Sequence, residues 1–332
     1  MPIAEKYIFL GGHRKCGTTM LVNLFDGHDR CCVYPTDICV LYGYFPKYVI
    51  EKHTVEERLS RLDLVIFGTL NRLRSRRGLH HLLPVEKMRD HFFTNLDRNV
   101  LDQIDGIIHQ IIASYRYVTN QSIEDRPYVF IKETSLEIYA QELAAVFPGS
   151  QFIPLIRDPR DNYGALRAGV DKHYSKFGES EKHILASLIH RAGLSMRLTD
   201  ANIQALGGER FRPVVFEQLV THTRRVLSDV LEFLGLEWND CLLQPTVMGQ
   251  ETTGNNYEDE KFREVTNKNV GRWRERISDF ETKVIEFHLS DIMQQYGYNL
   301  EFPIDESARA ASEFYKWTNN QYFYKDSFAT LC

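Results

Sequence analysis

Long apolar runs are missing from this chain. The run at residues 7–10 is far shorter than the roughly 20 residues of a membrane span or the apolar core of a secretory signal. We therefore expect no membrane span and a cytoplasmic protein. A bias of charge is missing too. The 40 Lys and Arg stand against 45 Asp and Glu with no long block of either sign, so no nucleic-acid partner is expected. The six cysteines, at 16, 31, 32, 39, 241 and 332, never adopt the paired CxxC spacing of a zinc site or a disulfide scaffold. A reducing compartment suits them. The histidines form no ligand pattern, and His80-His81 reads as an exposed pair, so no metal is expected. Internal repeats and low-complexity tracts are absent as well. The sequon Asn120-Gln121-Ser122, without a secretory signal, is a chance match.

What the chain does have is alternation. An apolar strand signal at 7–10 precedes a glycine-containing turn and a helix at 18–25. A second strand at 128–131 precedes a helix whose apolar face carries Leu136, Tyr139, Ala140, Leu143 and Phe147, stopped by Pro148-Gly149. A strand at 152–156, a helix from Asp161, and a long amphipathic helix with Leu185, Leu188, Ile189, Ala192 and Met196 follow. A strand at 214–216 then leads to a helix carrying Val226, Leu227, Val230, Leu231 and Leu234. Strands separated by helices predict an α/β, three-layer fold: a mostly parallel central sheet flanked by helices, with ligands beyond the carboxyl ends of its strands. Pro154 inside a strand predicts a bulge or an edge. We expect a single domain over residues 1–332, with a helical insertion at about 50–125 that helps cover an acceptor site. The polar segment 249–269 reads as a mobile loop, and about 300–332 as a C-terminal extension with an aromatic tail.

Gly12-His13-Arg14-Lys15-Cys16-Gly17-Thr18-Thr19 has the outline of the phosphate loop GxxxxGK[ST], directly after a strand and opening a helix. Such a turn holds phosphate oxygens on backbone N–H groups and the helix dipole, and Thr18 and Thr19 add hydroxyl donors. This gives the fold a P-loop NTPase-like character. The lysine expected after the second glycine is, however, Thr18, and the basic residues sit earlier, at Arg14 and Lys15. That displacement counts against an ATP or GTP hydrolase, whose lysine reaches the β- and γ-phosphates. Cys16 has two readings at this stage. A helix N-terminus and a neighbouring lysine lower a thiol's pKa, yet a thiol also fills a serine's volume without reacting.

At this point the chain resembles the PAPS-dependent sulfotransferases, where PAPS is 3′-phosphoadenosine-5′-phosphosulfate. Their 5′-phosphosulfate loop is matched by Lys15-Cys16-Gly17-Thr18-Thr19, with cysteine at the serine position. The resemblance implies that Lys15 meets the bridging oxygen between phosphate and sulfate. Pro154-Leu155-Ile156-Arg157-Asp158-Pro159-Arg160-Asp161 resembles the family's 3′-phosphate segment, with Arg157 as the main contact. Ala165 stands where serine is usual, so a hydroxyl contact is lost, and Arg160 or Arg167 is the expected compensation. Lys268-Asn269-Val270-Gly271-Arg272-Trp273-Arg274 resembles the Gly-x-Trp segment that folds over the 3′-phosphate. Lys268, Asn269, Gly271 and Arg272 become candidate contacts. Phe216 falls where an aromatic commonly lies near the adenine. The matches run in order from about residue 6 to 295.

Sulfuryl transfer needs an in-line approach, charge stabilisation on the leaving phosphate and a base. The resemblance implies PAPS as donor, 3′,5′-ADP as product and no metal. It suggests Lys132 as an aid to the transferred oxygens. The histidine common two positions later is Thr134 here. Asp37, in Tyr34-Pro35-Thr36-Asp37, fits the acidic base that other members carry after the first helix, and Glu133 is the alternative. A helix cap is the other reading of Asp37. The acceptor is expected to be a hydroxyl or amine on a small molecule or carbohydrate. An ATP-dependent small-molecule kinase and a nonenzymatic nucleotide-binding module stay open as alternatives.

Overall fold

The computed structural model describes residues 4–47, 53–252, 254, 256–258 and 260–318. Five parallel strands, β1 (Lys6–Gly11), β2 (Cys31–Asp37), β3 (Tyr128–Lys132), β4 (Gln151–Ile156) and β5 (Val214–Val215), form a sheet in the order β2-β3-β1-β4-β5. Chain order reverses at β1, which has β3 on one side and β4 on the other. The loop leaving β1 therefore opens at the switch point of the sheet, where this class of fold binds its ligands.

Side-chain alternation along the strands builds two cores. Tyr7, Phe9, Val129, Ile131 and Phe152 point to one face. There they meet α3 (Val55–Leu62), α4 (Gly68–Arg77), α5 (Val85–Asn95), α6 (Ile104–Thr119) and α7 (Ala140–Val146). Ile8, Leu10, Phe130, Ile153 and Leu155 point to the other, against α1 (Thr18–Leu24), α10 (Phe216–Thr221) and α11 (Thr223–Leu234). Each fully buried Phe, Ile or Leu contributes roughly 1.5–3 kcal/mol, which is what holds the helices to a sheet with only two-residue pairing at β5. Beyond β4, α8 (Pro159–Arg167), α9 (Glu181–Leu206), α13 (Asp279–Gln295) and α14 (Ile304–Thr318) share a third core around Tyr163, Leu188 and Ile285. The remaining α-helices and strands are α2 (Val40–Gly43), the hairpin β6 (Thr246–Val247) and β7 (Gln250–Glu251), and α12 (Trp273–Arg276).

The three-layer, mostly parallel α/β architecture agrees with the sequence reading, and several elements refine it. β2 is an addition to the sequence reading, and it carries Pro35 near its end. The proline is tolerated because β2 is the edge strand and its pairing slips between Val33 and Asp37. Pro154 lies on neither an edge nor a register shift. The amide of Phe152, two residues earlier, bonds towards β5, so the missing donor of Pro154 falls on the same side. There, pairing is interrupted between the Phe152–Phe211 bridge and the Leu155–Val214 pair. Phe216 starts α10 rather than ending a strand. The block from 53 to 119 carries α3, α4, α5 and α6 and makes the crossover from β2 to β3, with a π turn at Asp63–Phe67. The C-terminal extension forms α14 against α13; the aromatic stretch from Phe314 to Phe328 begins within α14, where Phe314 is buried, and its residues from 319, with Cys332, lie outside the described residues.

Candidate functional site

The turn between β1 and α1 is held from below by β4 and α8. Arg157, at the carboxyl end of β4, donates from Nη1 to the Lys15 carbonyl at 2.7 Å, and Asn162 Nδ2 donates to the Arg14 carbonyl at 2.6 Å. Gly12 and Gly17 have φ of +127° and +108°, a conformation that disfavours side chains. A Cβ on Gly17 would also sit 2.6 Å from the Phe216 ring. Lys15 shares the left-handed conformation, with φ 64°. Such backbone angles present successive amides on one side, the geometry that receives anions.

A cleft opens over this turn, and most of the sequence-predicted nucleotide residues line it: Lys15, Gly17, Thr18, Thr19, Arg157, Ala165, Phe216 and Asn269. Others behave differently. Cys16 is buried beneath the loop, where burial pushes its thiol up to about 12. That burial fits the other reading of Cys16, a thiol that fills a serine's volume without reacting. Arg14 turns towards α9, donating to Ser187 Oγ at 3.1 Å and lying 5.2 Å from the Tyr174 ring centre. The expected substitutes for the lost serine contact are engaged elsewhere. Arg160 is buried between Asp158 and Glu286, and Arg167 pairs with Glu181. Asp158 itself caps α8 by accepting from the Arg160 amide.

The Gly-x-Trp segment reaches the cleft through one residue. Asn269 accepts from Arg157 Nη2 at its carbonyl, 3.2 Å away. Gly271, with φ +73°, makes the turn that lets Asp161 accept from the amides of Gly271 and Trp273, at 2.6 and 2.8 Å. Trp273 is a core anchor under Arg160. Arg272 pairs with Glu260 at 3.3 Å, and Lys268 is exposed.

A second group lies at the neighbouring strand ends. Asp37 does not sit on a loop after α1, nor does it cap a helix: it is the last residue of β2, in register with Lys132, the last residue of β3. Lys132 Nζ is 2.7 Å from Asp37 Oδ2. Glu133 is buried and accepts from the Leu41 amide at 3.2 Å. Burial, aided by the charge of Asp37, pushes its carboxyl up to about 8. Burial also lowers the Lys15 amine to about 8, with Arg76 and then Lys132 adding repulsion, so these three cations share one region.

Sequence reasoning missed Tyr257, Arg76, Asn162 and Arg276. Tyr257 places its ring 3.9 Å from Lys15 Nζ and bonds Tyr174 through its hydroxyl at 3.2 Å. It sits in the polar segment read as a loop, and nothing in its local pattern marks it. Arg276 also lines the cleft. Its only sequence signal is its place three residues after Trp273.

A mostly parallel sheet with a phosphate loop at its switch point defines the P-loop-like α/β class. The model of the Sulfotransferase family matches residues 7–240, and the chain belongs to that family. The match ends before the Gly-x-Trp segment. A stretch of 101 residues, 30% of this chain, is 24% identical to Protein-tyrosine sulfotransferase 2 of Gallus gallus, of whose length it spans 26%. Among solved structures, the sulfotransferase domain from the curacin biosynthetic pathway has a TM-score of 0.57 at 18% identity. It covers 90% of this chain and 99% of that one. The sulfotransferase domain from the Synechococcus PCC 7002 olefin synthase has a TM-score of 0.53 at 18% identity, covering 90% and 97%. These two share the fold. Among the described residues, no helix is long and apolar enough to cross a membrane.

Proposed function

We propose that this sulfotransferase moves a sulfuryl group from PAPS to a hydroxyl or amine of a small-molecule or carbohydrate acceptor, leaving 3′,5′-ADP. The observation that carries the reading is the adjacency of two charged groups at the strand ends. Lys15 lies on the phosphate loop leaving β1, and the Lys132–Asp37 ion pair joins the ends of β3 and β2, with β3 paired directly to β1. The cleft suits an adenosine phosphosulfate: its glycines leave backbone close to any anion, and the buried Arg157 Nε has no partner among the described residues. PAPS, when bound, supplies the activated sulfuryl group.

In this reading Thr18, Thr19 and the loop amides hold the 5′-phosphate. Lys15 neutralises the negative charge that develops on it as the sulfuryl group leaves. Asp37 takes the acceptor proton, and Lys132 orients that carboxylate and faces the transferred oxygens. Arg157 and Asn269 face the second phosphate, and Phe216 packs beside the base. Glu133, enclosed and held by the Leu41 amide, is not the base in this reading. We carry the single domain and the cytoplasmic setting as part of the same proposal; the buried free thiols of Cys16, Cys31 and Cys32 suit a reducing compartment.

The test is thermal stabilisation by 3′,5′-ADP against ATP with magnesium. A site built for two separated phosphates gains roughly 2.7 kcal/mol at a hundredfold excess of 3′,5′-ADP over its dissociation constant. Equal stabilisation by both nucleotides overturns the donor assignment and favours a kinase. Binding of 3′,5′-ADP without turnover on any acceptor would leave a nonenzymatic module.

A further inference from the structure

The polar segment after β7 puts a carboxylate of the chain itself into the cleft. Glu258 lines it together with Arg157 and Arg276. Its Oε2 accepts from Arg276 Nη2 and lies 3.8 Å from Arg272 Nη1. Asn269 ties the same arginines together. Its carbonyl accepts from Arg157 at 3.2 Å, and its Oδ1 accepts from Arg276 at 3.0 Å and from Arg272 at 3.1 Å. Three guanidinium groups, one from the end of β4 and two from the two ends of α12, thus surround one residue.

Cations gathered this closely repel, and a partly buried one is costly unless an anion meets it. Two of the other acids nearby are committed. Asp161 accepts from two backbone amides, and Glu260 takes Arg272 at 3.3 Å. Glu264 lines the cleft but is exposed. Glu258 is left as the counter-ion of Arg276. The match is incomplete, because the Nε donors of both Arg157 and Arg276 are buried without a partner among the described residues. A carboxylate offers two oxygens with a single charge, whereas a phosphate monoester offers three oxygens with nearly two charges. Arginine's planar fork suits it.

We propose that Arg276 is a ligand of the donor's 3′-phosphate and that Glu258 holds that anion's place until the nucleotide enters. The inference rests on the reading of the cleft as a PAPS site. It makes the choice of nucleotide a competition. A nucleotide carrying a 3′-phosphate displaces Glu258 and satisfies both arginines. A nucleotide without one leaves Glu258 on Arg276 and gains nothing there.

Calorimetric titration of 3′,5′-ADP and 5′-AMP into the full chain, Arg276→Gln and Glu258→Gln tests this. Arg276→Gln should weaken 3′,5′-ADP roughly 10- to 100-fold, the scale of a lost hydrogen bond to a charged group, while 5′-AMP changes less than about twofold. Glu258→Gln should tighten 3′,5′-ADP several-fold and leave 5′-AMP alone. An unchanged preference between the two nucleotides in a folded Arg276→Gln protein overturns the inference. If that variant does not fold, Glu258→Gln decides: unchanged or weaker 3′,5′-ADP binding overturns it. A wild-type chain that binds 3′,5′-ADP no better than 5′-AMP overturns the nucleotide reading itself, and this inference with it.

Discussion

Lys132 Nζ lies 2.7 Å from Asp37 Oδ2, with the two residues paired in register at the carboxyl ends of β3 and β2. The lysine side chain is 4% exposed and the aspartate 38%, so the pair has a dry side and an open one. The carboxylate keeps an open side while the amine holds its other oxygen-bearing edge in place. Glu133, one residue on, is enclosed and bonded to backbone.

From that asymmetry, Asp37→Asn should lower turnover by roughly 10²- to 10⁴-fold, the usual contribution of a positioned general base. Affinity for 3′,5′-ADP should hardly change. Glu133→Gln, which mimics the protonated acid, should keep near-normal turnover at pH 7. Initial rates with chemistry limiting, alongside titration of 3′,5′-ADP, check both. The opposite ranking of the two variants moves the base to the β3 end.

Lys15 should set an upper limit in pH. Its amine is lowered to about 8 chiefly by burial, and an amine with a lowered pKa loses its charge as pH rises through that value. kcat/KM for the donor, which reports on the free enzyme, should therefore fall above about pH 8. Lys15→Arg should flatten the fall, because guanidinium stays charged. Lys15→Ala should lose about 10²-fold or more at every pH below it. A profile that falls identically in the arginine variant assigns the ionisation elsewhere.

Cys16→Ser should retain turnover within a few-fold. The thiol is buried and pushed up to about 12, so iodoacetamide at pH 8 should not label it until the protein unfolds. Rapid labelling in the folded state, with turnover lost in the serine variant and nucleotide binding intact, would revive thiol chemistry.

Glu133 should impose a pH dependence on stability. Its folded-state pKa, about 8, lies above the ordinary carboxyl value. The folded chain therefore binds the proton more tightly than the unfolded chain between roughly pH 4.5 and 8. The stability from the neutral acid is fully present below that window and is lost as pH rises through it. Glu133→Gln should melt at least a few degrees above wild type at pH 9 and level with it at pH 5, by calorimetry. A melting difference that does not vary with pH removes Glu133 as the source.

Parts of this molecule are legible in local order. The glycines flanking Lys15, the strand before them and the threonines after them are neighbours in the chain. Their chemistry follows from spacing, and the structure gathers Lys15, Gly17, Thr18 and Thr19 in one cleft. β2 escaped because Pro35 breaks its pattern, and only its place at the sheet edge makes that proline harmless. Arg160 looked like an available cation. A side chain's availability depends on partners 126 and 139 residues away, the Glu286 carboxylate and the Asn299 carbonyl, which no local window contains.

Alternation of apolar runs with helical periodicity determined the class of fold, since each strand must bury two faces and each helix one. Short-range turn chemistry determined where an anion would be received. Tertiary structure alone decided which charges answer to which. The register of β2 against β3 brings Asp37 to Lys132, 95 residues apart. The return of the chain after β7 lays Tyr257 over Lys15 and Glu258 on Arg276. Coulomb energy depends on distance and on how much water lies between, and the chain acquires both only when the sheet has closed and the segment has folded over it.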